Sequence, residues 1–217
     1  MRQLLYIPII HSEADLGSVG TAVTLQSTTL SGERHWAVHK KTICKFWESV
    51  ATYLRSFDSC KLVLYQDGLA ADGEIGRRIA EEAAKRGSKN YQLLLELLNR
   101  GAQLRKTEDL ALLLLEHQLL LEMVHSHVQQ YESQRDRLME ERDKFIAETI
   151  EATLKEGELG VLFIGAYHNV SSHLATDISI EMVKDTKRVK AYLDELFLGH
   201  DYQRLEELGQ YLISPML

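Results

Sequence analysis

Three apolar runs in this chain end in side chains that can do chemistry. LLYIPII at 4–10 leads into His11, Ser12, Glu13 and Asp15. KLVLY at 61–65 leads into Gln66 and Asp67. VLFIG at 161–165 leads into Tyr167, His168 and Asn169, with Ser171, Ser172 and His173 beyond. Short unbroken apolar runs are expected of strands buried on both faces. In open α/β sheets, ligands bind beyond the carboxyl ends of the strands. If these strands are parallel neighbours, imidazoles and carboxylates converge on one rim. Such a set could bind a divalent metal or carry out acid–base work. Polar strand-end loops are also common where no site exists, so the alternative is an incidental cluster.

The elements that must position these groups are legible from periodicity and punctuation. Helices are expected over 36–57, 74–86, 89–99, 185–198 and 203–213, with Gly87 and Gly101 closing the second and third. The stretch 16–31 reads as either strand or helix. A brief strand is expected at 101–105 and another at 178–183. Thr107 reads as a helix N-cap, with Glu108 and Asp109 in the first turn. No Gly or Pro follows until Gly157, so 107–156 is one long helix or two joined near 131–134. The order implies a single α/β domain, 1–217, with a small parallel or mixed sheet covered by helices.

The long segment carries a heptad-like seam of Leu110, Leu114, His117, Leu121, Val124, Val128, Tyr131, Arg135, Leu138, Arg142 and Phe145. A guanidinium in such a seam needs a carboxylate or an anionic ligand to offset its desolvation. Arg135 is expected to be a surface residue. Arg142 is expected at the site, because its helix leads into the strand that ends at His168.

Composition excludes several function classes. The chain has 217 residues, 45% of them hydrophobic and 26% charged, with a net charge of -7. No basic stripe marks a nucleic-acid surface. Cys44 and Cys60 lie in no zinc or redox spacing, which fits a reducing cytoplasm, and Cys44 is expected to be buried. LALLLLEHQLLLEM at 110–123 is too short and too charged for a membrane span. HSH at 125–127 spaces its histidines so that they do not share a helix face. His35 and His39 could stack on a helix, but capping or solvent exposure is the expectation. GLAADGEIG lacks the P-loop lysine, and no GxSxG elbow occurs.

Several of these residues fall in an order that resembles the TraB/Tiki/ChaN-like superfamily, which includes erythromycin esterases. Gly165-Ala166-Tyr167-His168 matches its closing G-x-x-H, Arg142 in ERDKFIAETI matches its helix-leading arginine, and His11 matches its opening histidine. Two motifs depart: Pro8-Ile9-Ile10-His11 stands where G-x-x-H is expected, and Asp67 where the second strand should end on Glu. The resemblance implies diverse activities, from metal-dependent peptide cleavage and ester hydrolysis to haem-associated binding and peptide-pheromone inhibition.

The sequence therefore leads to a cytoplasmic metal-dependent hydrolase of a small ester or peptide. His11, His168 and Arg142 would be catalytic. His11, His168, Asp67 and Glu13 would hold a divalent metal, with Asp15, Gln66, Tyr167, Asn169 and His173 nearby. The alternative is a non-catalytic ligand-binding or regulatory protein on the same scaffold, forming a homodimer through its long helices. No nucleic-acid or membrane partner is expected.

Overall fold

The structure is a computed structural model that describes residues 1–10, 20–126, 130–199 and 201–216; for 20–35, 120–126 and 130–132 it describes the backbone course alone. The chain order is β1 (Arg2–Ile9), α1 (Gly20–Leu54), β2 (Leu62–Gln66), α2 (Gly73–Lys85), α3 (Lys89–Asn99), β3 (Gln103–Arg105), α4 (Leu110–Ser126), α5 (Gln130–Thr153), β4 (Leu159–Gly165), β5 (Ile178–Met182), α6 (Thr186–Leu198) and α7 (Tyr202–Ile213). The five strands form one sheet in the order β3-β2-β4-β1-β5. Every pairing is parallel.

Alternation along the central strands splits their side chains between two cores. Leu5, Ile7 and Ile9 of β1, Leu62 and Leu64 of β2, and Val161 and Phe163 of β4 face a large cluster shared with α1, α3, α6 and α7. Leu4, Tyr6, Val63, Tyr65, Leu162 and Ile164 face the opposite cluster, whose cover is Ile146, Ala147 and Ile150 of α5 with Leu154 just beyond it. Both faces of the sheet are thus dry, which is why the strands read as unbroken apolar runs.

Gly160 leaves room for Leu154, which follows α5, to pack on the sheet beside Leu4. A Cβ there would sit 2.6 Å from Leu4 Cδ1 and 3.1 Å from Leu154 Cδ2.

The structure corrects several expectations. The segment 107–156 is two helices, α4 ending at Ser126 and α5 beginning at Gln130. The expected joint at 131–134 lies inside α5. Leu110 and Leu114 are 61% and 60% exposed, so the upper seam does not face a core. Asp109, not Thr107, caps α4: its Oδ1 accepts from the N–H groups of Ala111 and Leu112 at 2.7 and 3.3 Å. Thr107 is buried instead, its hydroxyl donating to the carbonyls of Gln66 and Leu69. Cys44 is exposed. His39 is buried, with Nδ1 3.1 Å from the Tyr192 hydroxyl. His35, His125 and His127 have no described side chains. Arg135 is half exposed, as expected.

Candidate functional site

The rim at the carboxyl ends of β2, β3 and β4 holds a buried charged cluster. Its construction starts on α5. Arg142, Asp143, Ile146, Ala147 and Ile150 follow helical spacing along the face turned to the sheet. Ile146, Ala147 and Ile150 cover the strands. One turn earlier the same face passes the strand ends, and there it becomes Arg142 and Asp143, 5% and 3% exposed.

Asp67 follows β2. Gly68, at φ 78°, turns the chain back, so that the Leu69 N–H donates to the Gln66 carbonyl. Asp67 Oδ2 accepts from the Gly165 N–H at 3.0 Å, which ties it to the end of β4. Asp67 Oδ1 accepts from Arg142 Nη2 at 2.9 Å.

Glu108 arrives from beyond β3 and is fully buried. It meets Arg142 as a fork, with Nε to Oε2 at 3.1 Å and Nη2 to Oε1 at 2.6 Å. Glu116, from the second turn of α4, takes Arg142 Nη1 at 2.8 Å. One guanidinium therefore faces three carboxylates. Burial pushes the Glu108 carboxyl above the ordinary carboxylate range, against the pull of Arg142. Burial also works against the charge on Arg142, but its hydrogen bond to Glu108 and the fields of Asp67, Glu108 and Glu116 outweigh it and keep the guanidinium charged.

His168 sits in the turn after β4, its N–H donating to the Gly165 carbonyl. The imidazole is 6% exposed. Nδ1 lies 2.5 Å from Asp143 Oδ1, and Asp143 Oδ2 accepts from the Asn169 N–H at 2.7 Å. An ionised carboxylate only accepts, so Nδ1 carries the proton in this contact and Nε2 is the basic nitrogen of the neutral ring. Asp67 Oδ2 lies 3.7 Å from Nε2, beyond hydrogen-bond length. Burial disfavours the imidazolium, but the Asp67 charge and then the Asp143 hydrogen bond overcome it, so the net shift of His168 is upward.

The structure thus brings Asp67, Arg142 and His168 together as the sequence suggests. Gln66 is not at the rim: its side chain is buried, with Oε1 accepting from Asn90 Nδ2 at 2.8 Å. Tyr167 points outward, 53% exposed, and its hydroxyl donates to Asp194. Asn169 contributes its backbone N–H, and His173 is half-buried after the short 3₁₀ turn Val170–Ser172. His11, Glu13 and Asp15 lie outside the described residues. Three site residues are not singled out for that role by the sequence: Asp143, Glu108 and Glu116. Asp143 carried a signal, an acid in register with the apolar face of α5. Glu108 carried another, since it follows a strand, although that strand is only three residues long.

Among the described residues, no group of three or more His, Cys, Asp or Glu side chains is arranged to hold a metal ion. The chemistry of the donors explains this. Both oxygens of Asp67, Glu108 and Asp143 already accept hydrogen bonds from the chain or face an imidazole. The cation among the carboxylates is Arg142. These donors do not fit a divalent ion. No described helix is long and apolar enough to cross a membrane.

Comparison with family models, with curated proteins and with solved structures returned no match.

Proposed function

We propose that this protein hydrolyses a small ester or peptide, with His168 as its acid–base group. The observation that carries this reading is the division of labour on one buried imidazole: Nδ1 is fixed by Asp143, and Nε2 faces the rim without a direct hydrogen bond to Asp67. That arrangement suits a general base held in one tautomer by an acid, as in hydrolytic triads on unrelated folds. In the proposed reaction Nε2 takes a proton from water as the water oxygen bonds to the acyl carbon. The carbonyl electron pair moves onto its oxygen, which accepts a hydrogen bond from the Arg142 guanidinium. Collapse expels the alcohol or amine, which takes the proton back from His168. The resemblance to the TraB/Tiki/ChaN-like superfamily supports the same class of chemistry at Gly165-Ala166-Tyr167-His168 and Arg142.

The test is turnover of p-nitrophenyl esters of short acids, and of short peptides, by the wild-type protein and by His168→Ala. Hydrolysis that falls about 100-fold or more in the variant supports the reading. No turnover of either class, or turnover that His168→Ala leaves intact, sinks it.

A second reading, a regulatory protein that pairs through α4, is supported by a different observation. Leu110, Leu114 and Leu115 of that helix are each more than half exposed. Exposed apolar groups in a row mark surfaces that associate. Sedimentation velocity separates the two: a dimer broken by Leu114→Glu, with no His168-dependent turnover, favours the second.

A further inference from the structure

The rim is closed. Arg142, Asp143 and His168 are buried, and so is Glu108. A substrate oxygen that takes over an engaged N–H of Arg142 must displace one of its three carboxylate partners. The three are not equivalent. Glu108 holds the guanidinium by two oxygens and is wholly inaccessible, while the backbone there is pinned by the N–H groups of Thr107 and Glu108 donating to the Leu69 carbonyl. Asp67 is 10% exposed and is tied by its other oxygen to β4. Glu116 makes one contact, through one oxygen, and is the most exposed of the three at 20%. It also rides on α4, whose outward face is leucine rather than packed core.

Electrostatics single out the same residue. One guanidinium is neutralised by one carboxylate, and Glu108 with Asp67 already exceeds that. A third carboxylate adds repulsion from the first two, so its contact is the least stabilising of the set.

We infer that Arg142 Nη1 is the binding position for the oxygen of an uncharged acyl group, an ester or amide carbonyl, and that Glu116 occupies it in the free protein and is displaced by substrate. This rests on the hydrolase reading for its ligand class. The preference for an uncharged group follows from the charges that remain once Glu116 has left. Asp67, Glu108 and Asp143 still outnumber Arg142, and they outnumber Arg142 and His168 together even when the imidazole is charged. An ester carbonyl enters such a site without repulsion. The carboxylate produced by hydrolysis is repelled, and Glu116 returns as it leaves.

The experiment follows the guanidinium ¹⁵N–¹H resonances of Arg142 in arginine-labelled protein during titration with butyramide, and separately with butyrate. Arg142→Lys identifies the signals. Butyramide should move them in the wild type. The half-saturating concentration should fall about tenfold in Glu116→Ala, because a competing charge-assisted hydrogen bond is gone. Glu116→Gln, which keeps the side-chain shape, should lie between. Butyrate should leave the signals in place in all three. Unchanged half-saturation in both variants, Arg142 signals that no titration moves, or butyrate acting as strongly as butyramide would each overturn the inference. The readout needs no turnover, so it stands apart from the His168→Ala assay that tests hydrolysis.

Discussion

His168 and Asp143 meet at 2.5 Å although one lies in the turn after β4 and the other near the middle of α5. The contact joins the helix that covers one face of the sheet to the rim where the strands stop. It also fixes which imidazole nitrogen is basic. The folded-state pKa of His168 lies above its ordinary 6.5. The stabilisation from its charged form is therefore complete below about 6.5 and is lost as the pH rises through the higher folded value. Activity that needs neutral Nε2 runs the other way, rising on an alkaline limb. The pH profile of kcat/KM should show this limb, and Asp143→Asn should move it to lower pH while cutting the rate at least about 100-fold. A limb that stays in place in Asp143→Asn would separate the pair from the chemistry.

Arg142 is the cation that Asp67, Glu108 and Glu116 share. Its replacement by Met leaves Glu108 buried and unpaired, and should destabilise the fold by about 3–5 kcal/mol in urea unfolding. Arg142→Lys should recover only part of this, because an ammonium cannot form the fork that meets both oxygens of Glu108. Equal stability of the two variants would count against the fork.

The donors around Arg142 are already engaged, so hydrolysis should survive exhaustive dialysis against a chelator with its rate within about twofold, in keeping with a His base rather than a metal-bound water. Metal analysis of the dialysed protein provides the comparison. Activity lost with the metal, and restored by zinc or manganese, would return His11 and Glu13 to the centre of the mechanism.

His39 behaves oppositely to His168. Burial, with Lys40 adding to it, holds its pKa down at about 3 from an ordinary 6.5. The unfolded chain therefore takes up a proton first as the pH falls below 6.5, and stability drops from there towards pH 3 by on the order of a few kcal/mol. Melting temperatures between pH 7 and 4 should fall less steeply in His39→Gln than in the wild type.

Gly160→Val would force a branched side chain against Leu4 and Leu154. Overpacking of this kind should lower stability by about 1–3 kcal/mol. Native-like circular dichroism with a reduced urea midpoint is the expected result.

The strands were legible because a sheet dry on both faces leaves continuous apolar runs, and the rim groups were legible because they follow those runs directly. What the sequence hid has physical causes. Three-residue β3 has too little pattern to flag Glu108 as a strand-end acid. Glu116 looks like a solvated charge on a greasy helix, and only the fold of α4 against α5 turns it towards Arg142. The leucine-rich α4 suggests a core helix by composition, yet one helix can bury only the face it turns inward. His39 reads as exposed because burial of a neutral imidazole needs a partner far away in the chain, here Tyr192.

The position of β1 in the sheet has a consequence for biosynthesis. Its neighbours are β4 and β5, with Tyr6 opposite Leu162 and Met182. A nascent chain therefore carries the segment LLYIPI without its paired strands until β4 and β5 have been made. Parallel pairing over such long separations is slow and leaves adhesive surface uncovered meanwhile. This inner strand of the sheet therefore gains its neighbours late, and closure waits on β4 and β5.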